Sequence, residues 1–228
     1  MENKYSKTKL AFLALTRFIP GILLLSFVLF ISAGSFGYWN AWFFMGILSI
    51  PLLIILIYLV TCDPELLEKR LNTRETEQTQ KKMIIKTSIT FLSVLIVSGL
   101  DYRFQWTPAP IWLVFSSAII YLLGNAIFFI VMLQNKFASR VIEIQEKQKV
   151  IDTGLYSYVR HPMYTAVIMM FFFMPLILGS LSAFILMLIF PYQINIRIKN
   201  EEKVLEKGLE GYIAYKKRVK YKVIPFLW

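Results

Sequence analysis

Trp39–Val60 reads WNAWFFMGILSIPLLIILIYLV, a run of 22 residues without a charge. A run of about 17–25 apolar residues is what a helix needs to cross a hydrocarbon core. The same texture recurs at Phe18–Phe36, Ile84–Leu100, Ile111–Leu133, Pro162–Leu178 and Leu181–Ile196. The last two are short and joined only by Gly179-Ser180, which predicts a tight helical hairpin whose second helix emerges into water near Arg197. At 57% hydrophobic and 17% charged residues, the composition excludes an ordinary wetted soluble domain. The reading is an all-α, polytopic membrane bundle, with six crossings, or five if half of that hairpin is re-entrant. Residues 1–228 form a single membrane domain, with 1–133 mainly scaffold and 134–228 the working region.

A net charge of +11 invites a nucleic-acid reading, but the positions of the charges argue against it. Lys4, Lys7, Lys9 and Arg17 precede or open the first span, and Lys69, Arg70, Arg74, Lys81, Lys82 and Lys86 lie between the second and third. Lys136, Arg140, Lys147, Lys149 and Arg160 lie between the fourth and fifth, and the rest follow Arg197. Only Arg103 falls on the other side. That is the positive-inside pattern of a multi-pass protein with both termini in the cytoplasm, here a bacterial or archaeal cytoplasmic membrane, with the bilayer rather than nucleic acid as partner. No Ala-x-Ala site follows the first span, which reads as a retained anchor. A single cysteine, Cys62, excludes an internal disulfide and a thiolate metal cluster. Pro20 and Pro51 read as kinks, and Gly124-Asn125 as a packing site between helices.

From Gln134 the texture changes. Gln134–Val159 is polar and amphipathic, with Val141, Ile142, Ile144 and Val150-Ile151 among charges, and Asp152-Thr153-Gly154 supplies a turn. It leads into Gly154-Leu155-Tyr156-Ser157-Tyr158-Val159-Arg160-His161-Pro162-Met163-Tyr164, which holds the sole histidine of the chain. Pro162 suits the first position of a helix, so His161 falls at its cap. The first-turn amides, backed by Arg160 and His161, would then attract an anion such as a carboxylate or phosphate. Taken singly, each of these residues reads more readily as a cap or a topological charge than as part of a site, and it is their combination with the tail that points to a site. After the hairpin, Arg197 and Glu201 share a helix face, and the adjacent Glu201-Glu202 pair lets one carboxylate point inward and the other to water.

The string Gly154-x-Tyr156-x-x-Val159-Arg160-His161-Pro162-x-Tyr164, followed by Arg197-x-x-x-Glu201-Glu202-x-x-Leu205 and by Gly211-Tyr212-x-x-Tyr215-x-x-x-Val219 to Pro225, resembles the isoprenylcysteine carboxyl methyltransferase family and its bacterial relatives. Asn135–Arg140 to Gln145 is similar to the lead-in of those proteins, whereas Ala166 stands where many members have Gly. The resemblance implies an integral membrane methyltransferase that uses S-adenosyl-L-methionine without a Rossmann domain and needs no metal. It implies His161, Pro162, Tyr164, Tyr156, Gln145, the Gln148-Lys149-Val150-Ile151 stretch and Glu201 or Glu202 as cofactor contacts, and Arg197 as the holder of an acidic acceptor group. The acceptor would be a carboxylate or thiol on a lipophilic or small molecule. Phospholipid amine methylation, NADPH-dependent membrane reduction and a non-enzymatic scaffold or transporter stand as alternatives, the last disfavoured because the spans lack intramembrane charges and paired broken helices.

Overall fold

A computed structural model describes residues 6–71, 78–137 and 144–228. The readings made on Lys4, Arg74, Ala138 to Arg140, Val141 and Ile142 lie outside the described residues. The described elements are helical: α1 (Lys7–Ala33), α2 (Trp39–Cys62), α3 (Pro64–Leu71), α4 (Gln78–Phe104), α5 (Ile111–Gln134), α6 (Pro162–Phe171), α7 (Met174–Ile177), α8 (Leu181–Met187), α9 (Phe190–Gly208) and α10 (Tyr212–Arg218).

Helix α1 begins well before the predicted Phe18, because hydropathy marks the bilayer core and not the helix end. Ser6 caps it by accepting from Lys9 N at 3.3 Å. The charges inside the helix find partners on neighbouring elements: Lys7 Nζ donates to Thr61 O at 2.9 Å and Arg17 donates to Leu71 O. At the other end Gly34 closes α1 in the left-handed region with φ 65°. Helices α1 and α2 run continuously through Pro20 and Pro51.

Among the described residues, five helical stretches are long and apolar enough to cross a membrane: Lys7–Ala33, Trp39–Cys62, Gln80–Phe104, Ile111–Gln134 and Leu181–Gly208. The Pro162–Ile177 limb is shorter. At about 1.5 Å per residue it spans roughly 24 Å, less than a hydrocarbon core of about 30 Å. Both limbs of the hairpin are broken where unbroken spans were expected, and proline explains the position. A proline ring clashes with the carbonyl four residues earlier. Pro175 and Pro191 open α7 and α9, and the helices before them end at Phe171 and Met187, four residues upstream in each case.

The hairpin tip docks on the connection between α4 and α5. Ala109 N donates to Gly179 O at 2.9 Å and Leu181 N to Thr107 O at 3.1 Å. Buried Asp101 organises this end, accepting from Thr107 N and Thr107 Oγ1, each at 2.7 Å, and from Ser180 Oγ. Tyr38 Oη donates to Leu178 O at 2.5 Å and Asn40 Nδ2 to Ile177 O at 3.0 Å, so α2 grips the same tip. Asp101, in the last turn of α4, thus acts as a structural staple for the connection that follows it.

The core between these ends is largely aromatic and aliphatic, with Phe44 packed edge-on to Tyr121 and Phe190 edge-on to Phe91. Helix α5 packs closely against α6 through Gly124, while the Asn125 amide bonds Tyr121 O of its own helix at 3.0 Å rather than reaching across. A Cβ on Gly124 would meet Met170 Cγ at 2.9 Å, Ala166 O at 3.0 Å and Met169 Cβ at 3.0 Å. Two of these atoms are backbone or Cβ and cannot swing away. Gly124→Ala should therefore destabilise the protein by about 1–3 kcal/mol in reversible unfolding in detergent. Gly46→Ala, where nothing lies within 4 Å, should be neutral or stabilising.

Candidate active site

The end of the bundle opposite Asp101 is closed by the chain's own tail. Arg160 N donates to Tyr221 O at 2.9 Å and His161 N to Lys222 O at 2.8 Å, so the tail pairs with the backbone just before α6. Thr165 Oγ1 donates to Val223 O at 2.7 Å, extending the seam into the first turns of α6.

Glu202 locks this arrangement. Its Oε1 accepts from Arg160 Nε at 2.8 Å and lies 3.3 Å from His161 Nε2, and its Oε2 accepts from Lys216 Nζ at 3.0 Å. Arg160 then spends Nη1 on Val219 O and Lys220 O, both at 2.7 Å. Arg160 and Glu202 are 6% and 4% exposed, so this is a buried ion pair that ties α6, α9, α10 and the tail into one unit. Lys216 is held above its ordinary pKa by its hydrogen bonds to Glu206 and Glu202.

This geometry corrects the expected anion site at the first turn of α6. The Arg160 guanidinium is committed to Glu202 and the tail carbonyls. The amides of Tyr164 and Thr165 bond back to His161 O at 2.9 and 3.2 Å. His161 is the N-cap by backbone position, with Pro162 at the first turn, but its side chain makes no cap hydrogen bond. The Glu201-Glu202 pair does diverge, yet Glu202 goes into the clamp and not to water.

Beside the clamp lies a cavity of about 640 Å³. It is lined by Gln148, Lys149, Val150, Ile151, Tyr156, Arg160, His161, Tyr164, Arg197 and Glu201, which sequence reasoning had singled out. Gln145, Pro162 and Glu202, singled out with them, do not line it. Gln145 instead shapes the approach: Gln145 N donates to Gln148 Oε1 at 2.9 Å, and Gln145 Nε2 donates to Phe137 O at 2.8 Å. Gly154, at φ 60°, lets the chain turn where Gln134 crowds it, since a Cβ there would lie 2.4 Å from Gln134 Nε2.

A relay crosses the cavity wall. Arg197 Nε donates to Tyr164 Oη at 2.9 Å, and Tyr164 Oη donates to Glu201 Oε2 at 2.7 Å. Glu201 Oε1 is 3.9 Å from His161 Nδ1. Each side chain is thereby oriented by the next, although they come from two different helices. On the tail side, burial pushes the Tyr156 phenol up to about 12 and raises the phenols of Tyr212 and Tyr215 well above their ordinary value, so all three are neutral near pH 7. Tyr156 Oη accepts from Asn135 Nδ2 at 2.8 Å, and Tyr215 Oη donates to Tyr156 O at 2.7 Å. The buried Tyr212 hydroxyl has no hydrogen-bond partner among the described residues.

Sequence reasoning missed the wall given by the first half of the chain. Arg70 of α3, stacked 5.0 Å over the Phe128 ring, lines the cavity, as do Met83, Thr87 and Phe91 of α4. Arg70 had been counted as a topological charge, and its following Leu71 and preceding Leu66-Leu67 were the available sign that α3 packs rather than dangles. Tyr212 and Tyr215 were quoted within a motif but given no role.

Removing one member of a buried ion pair leaves the other charge stranded. Glu202→Ala should therefore cost about 3–5 kcal/mol in detergent unfolding, while the paired change Arg160→Met with Glu202→Leu should recover most of that loss. Full stability in Glu202→Ala would show that the clamp does not hold the tail.

No curated protein matches the chain. A sequence model of the isoprenylcysteine carboxyl methyltransferase (ICMT) family does match residues 112–207, which run from α5 through α9 and include Arg160, His161, Tyr164, Arg197, Glu201 and Glu202. The segment of this membrane protein that forms most of the clamp and the cavity relay is similar to that family.

Proposed function

We propose that the protein transfers a methyl group from S-adenosyl-L-methionine to a carboxylate or thiol of a lipophilic or small acceptor. The observation that carries this reading is the two-part cavity, polar beside Glu201 and the tail tyrosines, apolar along α4 and α6, with the Arg197–Tyr164–Glu201 relay between the parts. The donor set fits the cofactor's chemistry. Glu201 offers a carboxylate for hydroxyls, Tyr212 a buried hydroxyl without a partner among the described residues, and Val150 and Ile151 an apolar wall for a base. Gln148, Lys149, Tyr156, His161 and Tyr164 complete that wall, while Gln145, Pro162, Arg160 and Glu202 position it. S-adenosyl-L-methionine, when bound, supplies an electrophilic methyl group.

The chain's own contribution is orientation and exclusion of water. A carboxylate or thiolate is already a competent nucleophile, so no side chain has to remove a proton from it. Arg197 holds the acceptor acid, Tyr164 keeps the guanidinium in place, and the tail covers the polar end against solvent. The working region 134–228 then acts on a scaffold that also lends Arg70 and α4 to the wall. The basic residues cluster at the clamp end, which favours a cytoplasmic site and cytoplasmic termini.

Two measurements test the chemistry. Glu201→Gln should weaken S-adenosyl-L-methionine binding by about ten- to a hundredfold in isothermal titration, the worth of one hydrogen bond to a charged group. Arg197→Lys keeps the charge but not the two parallel bonds to a carboxylate. It should leave cofactor affinity nearly normal and lower labelled-methyl transfer by at least about tenfold, or roughly 1.4 kcal/mol. Full turnover by Arg197→Lys would remove the acceptor-holding role, and binding of NADPH in place of S-adenosyl-L-methionine would favour a reductase.

Orientation is tested with the exposed native Cys62. A membrane-impermeant maleimide should label Cys62 only in permeabilised cells, and should label Arg103→Cys in a Cys62→Ser background from outside. The reverse pattern would invert the topology.

A further inference from the structure

Beyond Arg218 the chain leaves α10 in an extended stretch, and burial alternates along it. Val219 and Val223 are buried, whereas Lys220 between them is exposed. The inward face seats the tail at a definite depth. Val223 and Trp228 pack into the core that holds Phe190, Ile194 and Ile198 of α9, and Val223 O accepts from Thr165 Oγ1 in the first turn of α6 at 2.7 Å. Helix α6 opens its apolar limb at Pro162, and α9 leaves its apolar stretch at Arg197. The tail after Tyr221 therefore lies level with the boundary at which both helices enter the bilayer.

The outward face at that level is apolar. Trp228 N donates to Ile224 O and Trp228 O accepts from Val223 N, both at 2.9 Å, which closes a tight turn. At its tip Phe226 and Leu227 are 88% and 79% exposed, and Phe226 holds φ 63°. The Phe226 ring meets Tyr221 at 5.3 Å between centroids and otherwise projects outward, so packing within the chain returns little of the cost of a left-handed backbone at a bulky residue. Between this tip and the exposed Tyr158 runs a groove of about 220 Å³, lined also by Arg218, Lys220, Tyr221 and Pro225, which shares no lining residue with the larger cavity. Two cations stand along it: Arg218, whose guanidinium also meets Asp152, and Lys220, whose carbonyl is taken by Arg160 while its side chain stays exposed. Aromatic rings beside basic side chains suit the boundary between lipid headgroups and hydrocarbon.

We propose that this groove binds an anionic phospholipid of the surrounding leaflet, with its phosphate at Lys220 and Arg218 and the upper part of its chains against Phe226 and Leu227. Charge complementarity selects the occupant, because a zwitterionic lipid brings a cation of its own toward Lys220 and a lipid with a net negative charge does not. The exposed tip is then covered by hydrocarbon at the level where the tail is seated. The tail that the Glu202 clamp holds over the cavity thereby gains a second anchor, outside the protein.

The test places a fluorophore at the tip, through Leu227→Cys in a Cys62→Ser background of the full-length protein in phosphatidylcholine nanodiscs. A second label at Lys207→Cys, near the end of α9 and about 15 Å past Arg197, reports the water side. Lipid carrying a nitroxide near the top of its chains should quench the Leu227 label and aqueous iodide should not, with the opposite pattern at Lys207. Nitroxide phosphatidylglycerol should quench the tip label with an apparent affinity about fivefold above that of nitroxide phosphatidylcholine, since each basic residue at an anionic surface favours association by roughly that factor. Lys220→Glu should bring the two lipids within about twofold while phosphatidylcholine still quenches, which also shows that the tip keeps its place. Glycerol phosphate added in solution should not reduce the preference. Quenching of the tip by iodide and not by lipid, as for a surface that awaits a protein partner, would overturn the proposal. So would equal affinities of the two lipids, a preference that survives Lys220→Glu, or a preference abolished by soluble glycerol phosphate. The comparison of the two lipids needs no change at Lys220, so misfolding of that variant cannot rescue it, and none of these readouts depends on methyl transfer.

Discussion

Glu202 is the carboxylate on which the working end of the molecule depends. It is almost fully buried and is met by Arg160, His161 and Lys216, which come from the entrance to α6 and from α10. Two buried charges gain little net stability over a well-packed apolar pair, but each becomes very costly once its partner is gone. The arrangement therefore acts as a registry device. With Arg160 also tied to the carbonyls of Val219 and Lys220, the tail has one seat against α6, and that seat fixes where Tyr212 and Tyr215 stand over the cavity.

The opposite end works by the same logic with a different group. Asp101 collects Thr107 and Ser180, so the α4–α5 connection and the tip of the α6–α9 hairpin are one polar knot. In an apolar environment such a knot has no competing solvent, and the backbone groups freed by the proline breaks must be matched within the protein. Held at the tip by Asp101 and at the base by Glu202, α6 and α9 present Tyr164, Arg197 and Glu201 to one another at hydrogen-bonding distance. The relay is a consequence of two distant anchors as much as of its own residues.

Much of this was legible in the chain. The apolar runs gave the helical membrane class, Gly179-Ser180 gave the hairpin turn, and Pro162 gave the start of α6, because each rests on local chemistry. The proline breaks at Pro175 and Pro191 were equally local and were overlooked only because hydropathy averages across them. The wall from Gln148 to Ile151 and the Tyr156, Tyr164, Arg197 and Glu201 positions came from the family resemblance, and the fold brings these residues to one cavity. Asp101 was given no role from the sequence, since nothing in its neighbourhood announces that Ser180 will arrive beside it.

By itself the sequence determined what period and composition determine: which segments are apolar, where they start and turn, and which polar residues are concentrated near one junction. Tertiary structure alone decided how those polar residues divide their work. Arg160 and His161 are neighbours, as are Glu201 and Glu202, yet burial and partner geometry send Arg160 and Glu202 into a clamp while Glu201 remains at the cavity. Adjacent residues in a helix point about 100° apart, and which direction meets a cation, a phenol or a void depends on elements far away in the chain. For the same reason Arg70 and Gln193, one read as a topological charge and the other left unremarked within an apolar span, become parts of the cavity wall only when α3, α4 and α9 are packed together.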